Sequence, residues 1–213
     1  MRDGRCSLSW ISSTRSISNK VKRLAFAGLS FLLRTWYTVK DKRGSEESVM
    51  NDELRIMRAK ESDIEEIFAL YRSLIHMPYS TWSEEYPALE DVVADVRDHM
   101  VLVMRNAADE IVSAIALWKE FEFADAAPWY ADVTRWAMLC RLGVHSGYQG
   151  KGIAGRMLLA AMEAAKAEGC EAVQFLVAKS NPIAQRAYAK LGFDVCGEAE
   201  LWEEAWLCYQ KRL

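Results

Sequence analysis

Between residues 143 and 156 the chain reads Gly143-Val-His-Ser-Gly-Tyr-Gln149-Gly-Lys-Gly152-Ile-Ala154-Gly155-Arg. Small residues at 150, 152, 154 and 155 let backbone N–H groups crowd around an anion. The run Met157-Leu-Leu-Ala-Ala-Met-Glu-Ala-Ala-Lys166 that follows reads as a helix, and its N-terminus, with unpaired donors and the positive end of the dipole, favours negative charge. The chemistry this suits is the holding of a diphosphate. Further on comes Asn181-Pro-Ile-Ala-Gln-Arg-Ala-Tyr188-Ala-Lys-Leu-Gly192-Phe193, which sets a phenol at helical spacing from Ala184. Such a phenol either packs or manages a proton, its ordinary pKa being about 10.

Three kinds of phosphate turn compete for the glycines. Gly150-x-Gly152-x-x-Gly155 matches the dinucleotide fingerprint letter for letter, but that fingerprint wants its glycines at the very end of a strand and an acid at the end of the next one. Here His145 to Gln149 separate Val144 from Gly150, the strand Ala172-Val-Gln-Phe-Leu-Val177 ends in Ala178-Lys179-Ser180, and Glu171 stands at its beginning. The nucleoside-triphosphate loop fails as well, because no Lys-Ser/Thr pair follows the glycines.

What remains is a Gln-x-x-Gly-x-Ala turn and an Asn-x-x-Ala-x-x-x-Tyr-x-x-x-Gly-Phe helix separated by one helix and one strand. This pair resembles the GCN5-related N-acetyltransferase (GNAT) superfamily, over roughly residues 53 to 213. Gln149, Gly152 and Ala154 stand where that family places its pyrophosphate signature, and Asn181, Ala184, Tyr188, Gly192 and Phe193 where it places its second cofactor helix. The resemblance implies a mixed α/β fold: a mostly antiparallel sheet of about seven strands, splayed where the cofactor enters, with helices on both faces. It implies acetyl-CoA as co-substrate and direct transfer of the acetyl group to a primary amine in a ternary complex, without a metal. It also assigns parts. The N–H groups around Gly150, Lys151, Gly152 and Gly155 receive the pyrophosphate, Lys151 adds charge, and the backbone of Leu142 and Val144 pairs with the pantetheine arm. Asn181 holds one of that arm's amides, and Tyr188 lies near the sulfur as general acid.

The general base stays open. In the histone-acetylating branch a glutamate on the strand before the phosphate turn serves; Met138 stands at the corresponding place here. Glu84, Glu85, Glu120, Glu122, Asp132 and His145 are the candidates, and each equally suits a solvated surface. The missing glutamate leaves room for a second reading, a non-catalytic module that binds or senses acyl-CoA. The segments expected opposite the cofactor, 78–85 and 118–136, carry Tyr79, Trp82, Phe121, Phe123, Trp129 and Tyr130 among acids, which suits a cationic amine by cation–π and charge contact or simply packs helix on sheet.

The elements needed to position these groups can be read in order. Glu53 to Ala59 is a strand, and Ser62 to Ile75 a helix capped by Ser62 with Glu65 three residues on. A loop, Thr81 to Pro87, leads to a helix over about 88–99. Strands 101–105 and 111–118 form a hairpin across Asn106 to Glu110, and a strand from Trp136 runs to Val144. Two terminal strands lie around 193–197 and 205–210.

The chain has 213 residues, 51% of them hydrophobic, enough for one cored domain and an appendage. Residues 1–49 hold ten Lys/Arg against four Asp/Glu, and the remainder 17 against 26. The acidic domain, 50–213, argues against a nucleic-acid surface and suits a small-molecule or peptide amine. Five scattered cysteines with no C-x-x-C pair fit a reducing, cytoplasm-like compartment. The basic extension 1–49 admits three readings: translation that begins at Met50, downstream of the purine-rich codons of Glu46-Glu47; a membrane-contacting amphipathic helix; or a targeting segment. Its apolar run, Leu24 to Leu33, is too short to span a bilayer. Pairing of two domains through their terminal strands, a homodimer, is an expectation of the family.

Overall fold

The computed structural model describes residues 54–78, 80–120 and 127–213. The extension 1–49, Tyr79, Phe121, Glu122 and Phe123 lie outside the described residues. Seven strands run in chain order as β1 (Arg55–Arg58), β2 (Met100–Arg105), β3 (Ile111–Trp118), β4 (Trp136–Val144), β5 (Ala172–Ala178), β6 (Asp194–Leu201) and β7 (Glu204–Arg212). The helices are α1 (Ile64–Arg72), α2 (Leu89–Asp98), α3 (Ile153–Ala167) and α4 (Pro182–Ala189). The sheet order is β1-β2-β3-β4-β5-β7-β6, with β4 and β5 parallel and every other neighbouring pair antiparallel. This is the mixed, mostly antiparallel seven-stranded sheet that the motifs led us to expect.

Alternating side chains divide the interior into two apolar layers. Ile67, Leu70, Tyr71 and Val92 of α1 and α2 pack with Val101, Val103, Ala114 and Ala116 on one face. Ile153, Met157, Leu158 and Ala161 of α3 pack with Leu102, Met104, Ile115 and Leu117 on the other, where Ala184 and Tyr188 of α4 also lodge. The sheet is thus covered on both sides, and its middle strands are accordingly near-continuous apolar runs.

Two local details differ from the sequence reading. The entry to α1 is not capped by Ser62 and Glu65; the Lys60 N–H donates to Asp63 Oδ2 at 2.9 Å, and the same carboxylate meets buried Arg105 at 3.1 Å. A carboxylate that also neutralises a buried guanidinium outcompetes a lone hydroxyl for that position. The terminal hairpin is longer than expected because β6 and β7 pair out to Leu201↔Glu204 around Trp202 and Glu203, whose φ values are 53° and 62°. A two-residue turn with both φ positive matches strand twist, and asparagine and glycine are its usual occupants. Their absence hid the turn.

Candidate active site

The turn after β4 is built almost wholly from backbone. His145 starts a single 3-10 turn, Ser146–Tyr148, in which the Gly147 N–H donates to His145 Nδ1 at 3.2 Å. Gln149 Nε2 then donates to the Val144 carbonyl at 3.0 Å, tying the turn to the end of β4. Gly150 and Gly152 take φ values of 74° and 76°, the left-handed setting that disfavours residues with a Cβ, and Gly152 caps α3. A Cβ added at 150, 152 or 155 would meet nothing within 4 Å, so open space lies over the first turn of a 15-residue helix. Unpaired amides, a helix dipole and room at one place fit a diphosphate. Lys151 is exposed, its Nζ 5.1 Å from the Tyr148 ring centroid, and the Tyr148 hydroxyl accepts from Asn106 Nδ2 at 3.2 Å.

Beside this turn the sheet opens. β4 and β5 pair only at Trp136↔Ala172, Ala137↔Val173 and Met138↔Gln174, after which β4 continues to Val144 and β5 to Ala178 without pairing to each other. Leu142 and Val144 lie on that open length. Met138, which stands where the other branch has its glutamate, is buried at the vertex. Opposite it, Gln174 is fully buried: its Oε1 accepts from Gln210 Nε2 at 3.1 Å, Gln210 Oε1 accepts from the Tyr130 N–H at 2.7 Å, and Gln174 Nε2 finds no partner among the described residues.

Asn181 and Tyr188 belong to the segment that follows the C-terminal end of β5. Asn181 Oδ1 accepts from the Ala184 N–H at 2.9 Å and Pro182 follows, so the residue that resemblance assigns to the cofactor also starts the helix that carries Tyr188. The Tyr188 ring lies edge-on to Phe175 at 4.7 Å and 6.0 Å from Tyr209, in a cluster that Phe193 completes. Burial, with a smaller contribution from Tyr209, pushes its phenol up to about 12. It therefore keeps its proton throughout the neutral range, as a general acid must.

The candidate bases are dispersed. Glu84 is paired with Arg72 and stands 3.4 Å from His76 Nε2; Glu85 and Glu120 are exposed; Asp132 holds Arg212 at 2.7 and 2.9 Å. The hydrogen bond from Arg212 keeps the Asp132 carboxyl below the usual range. Among the aromatics, Trp82 packs edge-on against Tyr71 at 5.0 Å, and Tyr130 is bonded to Asp194 with Arg212 over its ring at 4.8 Å. Burial raises the thiols of Cys140, Cys170, Cys196 and Cys208, which leaves them poor nucleophiles. Cys6 lies outside the described residues. Among the described residues no group of three His, Cys, Asp or Glu side chains is placed to hold a metal ion. A cleft of about 350 Å³ lies at the far end of α3 between Arg58, His99, Lys119 and Glu168, away from the glycine turn.

Sequence reasoning missed Arg141. It sits on β4 at a slip in the β3–β4 register between Ala114 and Ala116, has a φ of 50°, and is buried. Its Nη1 donates to Asp95 at 2.6 Å, its Nη2 to Asp91 at 3.0 Å and its Nε to the Tyr86 hydroxyl at 3.1 Å. The guanidinium lies 4.8 Å from the Trp118 ring and 5.1 Å from that of Tyr86, and Trp118 Nε1 donates to Asp95 at 2.7 Å. Burial works against the Arg141 charge, but Tyr86, Asp95 and Asp91 outweigh it and hold the group protonated. An arginine inside an apolar strand, with its partners some 50 residues earlier, leaves no local pattern to recognise.

Comparison with known proteins identifies the class. The acetyltransferase (GNAT) family matches residues 64–193, and the chain belongs to that family. Its co-substrate is acetyl-CoA, and its members catalyse acetyl transfer. The fold is shared with an acetyltransferase of Streptococcus agalactiae at 24% identity and a TM-score of 0.66, over 75% of this chain and 95% of that one. It is shared too with a putative acetyltransferase of Salmonella typhimurium solved with acetyl-CoA, at 16% identity and a TM-score of 0.60, over 76% and 94%. A ribosomal-protein-alanine N-acetyltransferase of Brucella melitensis matches at 20% and 0.58, over 74% and 99%. Among the described residues no helix is long and apolar enough to cross a membrane.

Proposed function

We propose that this protein is an N-acetyltransferase that passes the acetyl group of acetyl-CoA directly to a primary amine while both are bound. The observation that carries the reading is the juxtaposition of the open β4–β5 vertex with the glycine turn at the head of α3. Residues 149–155 would hold the pyrophosphate, and the free edge of β4 at Leu142 and Val144 would pair with the pantetheine arm as an added strand does. Asn181 supports that arm, and Lys151 contributes charge. Acetyl-CoA supplies an activated thioester: the amine's N–C bond forms as the C–S bond breaks, and the leaving sulfur needs a proton. Tyr188 holds that proton ready, its phenol kept neutral by the Phe175 and Tyr209 rings around it. The amine arrives uncharged, having lost its first proton to a carboxylate or to water, and the N–H proton it gives up as the amide forms returns through water to the Tyr188 phenol. We place the activity in residues 50–213, in a cytoplasm-like compartment.

The competing reading, an acyl-CoA sensor, draws support from Met138 in place of a glutamate. Thermal unfolding of the full chain with and without acetyl-CoA, followed by a panel of amines with free thiol as the readout, separates the two. A transferase is stabilised and releases thiol with one amine class. A sensor is stabilised and releases none, and an unchanged melting temperature contradicts both.

A further inference from the structure

β4 departs from regular strand geometry where it leaves β5. Ala114 pairs with Gly143 and Ala116 with Cys140, so Ile115 alone on β3 is matched by two residues on β4, Arg141 and Leu142. Such a bulge re-aims the backbone groups beside it. Arg141 adopts the left-handed setting there, which a residue with a Cβ leaves unless its surroundings hold it. The holding contacts come from the side chain. Three guanidinium nitrogens are each bonded to a different residue, Asp95, Asp91 and Tyr86, and the guanidinium carbon lies 5.1 Å and 4.8 Å from the Tyr86 and Trp118 ring centroids. Asp91 is itself fixed by the Ala88 N–H at 2.8 Å, and Asp95 by Trp118, so the clamp is anchored in α2 and β3. Tyr86, 40% exposed, links it to the loop before α2.

We propose that Arg141 is a positioning residue for acyl transfer: pinned to α2 and Tyr86, it holds the β4 bulge in the backbone setting that turns the free edge of β4 toward the thioester arm. The proposal rests on the cofactor reading above. It gives this buried ion-pair group a role in function that burial alone would not need, since hydrophobic replacement of such groups is often neutral or stabilising. The glycine turn is held beyond the bulge by bonds of its own, from Gln149 to the Val144 carbonyl, from the His145 N–H to the Val112 carbonyl and from the Gly147 N–H to His145, so the clamp acts on the thiol arm more than on the pyrophosphate.

Calorimetric titration of the full chain with two probes tests this. One is acetyl-CoA; the other is adenosine 3′-phosphate 5′-diphosphate, the nucleotide half without the thiol arm. Arg141→Lys keeps the charge but loses the fork. It should weaken acetyl-CoA about tenfold while leaving the nucleotide within about twofold. The double variant Arg141→Met with Asp95→Met removes the two most buried charges together; it should recover most of the stability that Arg141→Met alone loses yet show the same selective loss. Equal weakening of both probes, or of neither, overturns the proposal. Wild-type protein that binds neither probe overturns the cofactor reading itself, a result distinct from a failure of Arg141.

Discussion

The two ends of the free edge of β4 are made by opposite means. At Val144 the chain turns through glycines at 150 and 152 with no side chain in the space they leave, and the site is a set of backbone amides. At Arg141 the backbone is equally unusual, but a non-glycine residue is held in place by carboxylates and rings from α2, β3 and the preceding loop. A backbone-built site advertises itself in consecutive residues. One built by side chains depends on partners scattered along the chain, and it gains a link to another part of the molecule that glycines cannot provide.

That contrast can be tested first where it is most costly. Arg141→Met alone leaves Asp95 buried without its cation, and stability should fall by about 3–5 kcal/mol in denaturant unfolding. Adding Asp95→Met should recover most of it. Tyr188→Phe should cut acetyl transfer about a hundredfold with acetyl-CoA affinity unchanged, which initial rates and calorimetry report separately. Gly152→Val forces a branched residue into a left-handed setting, at about 1–2 kcal/mol, and fills the cradle; acetyl-CoA should bind about tenfold more weakly. If the valine binds normally, the backbone-built half of the comparison is wrong. Asn181→Ala removes the cap of α4 and should cost about 1 kcal/mol.

A further effect, confined to alkaline solution, is a pH dependence. The Tyr188 phenol is raised to about 12 in the fold, against about 10 in an unfolded chain. The native state keeps a proton that the unfolded state has lost, so stability falls as pH rises. The contribution is whole below pH of about 10 and disappears through about 12. Tyr188→Phe should lack that extra alkaline slope.

Much of this was legible in the chain, for reasons the same contrast explains. The order of strands and helices followed from apolar periodicity, and β4 was bounded correctly at Trp136 and Val144 because a turn of small residues ends it. The glycine turn and the Asn181 helix were visible because each is local. Asp63 closes the short 3-10 turn before α1 through the Lys60 N–H and pairs with Arg105, a contact across the fold. Trp202 and Glu203 form a tight turn without the residues that usually mark one. The Arg141 clamp needed three segments to meet. The general base belongs with these: Glu84 and Asp132 are paired with arginines, and His145 is spent on its own turn.

Hydrogen exchange of the full chain with and without acetyl-CoA, resolved to peptides, addresses the central claim most directly. Acetyl-CoA should protect two stretches together, 139–144 on the free edge of β4 and 149–157 at the head of α3, with a lesser effect at 181–188. Protection confined to other segments, or none at saturating acetyl-CoA, would contradict a cofactor site between β4 and β5.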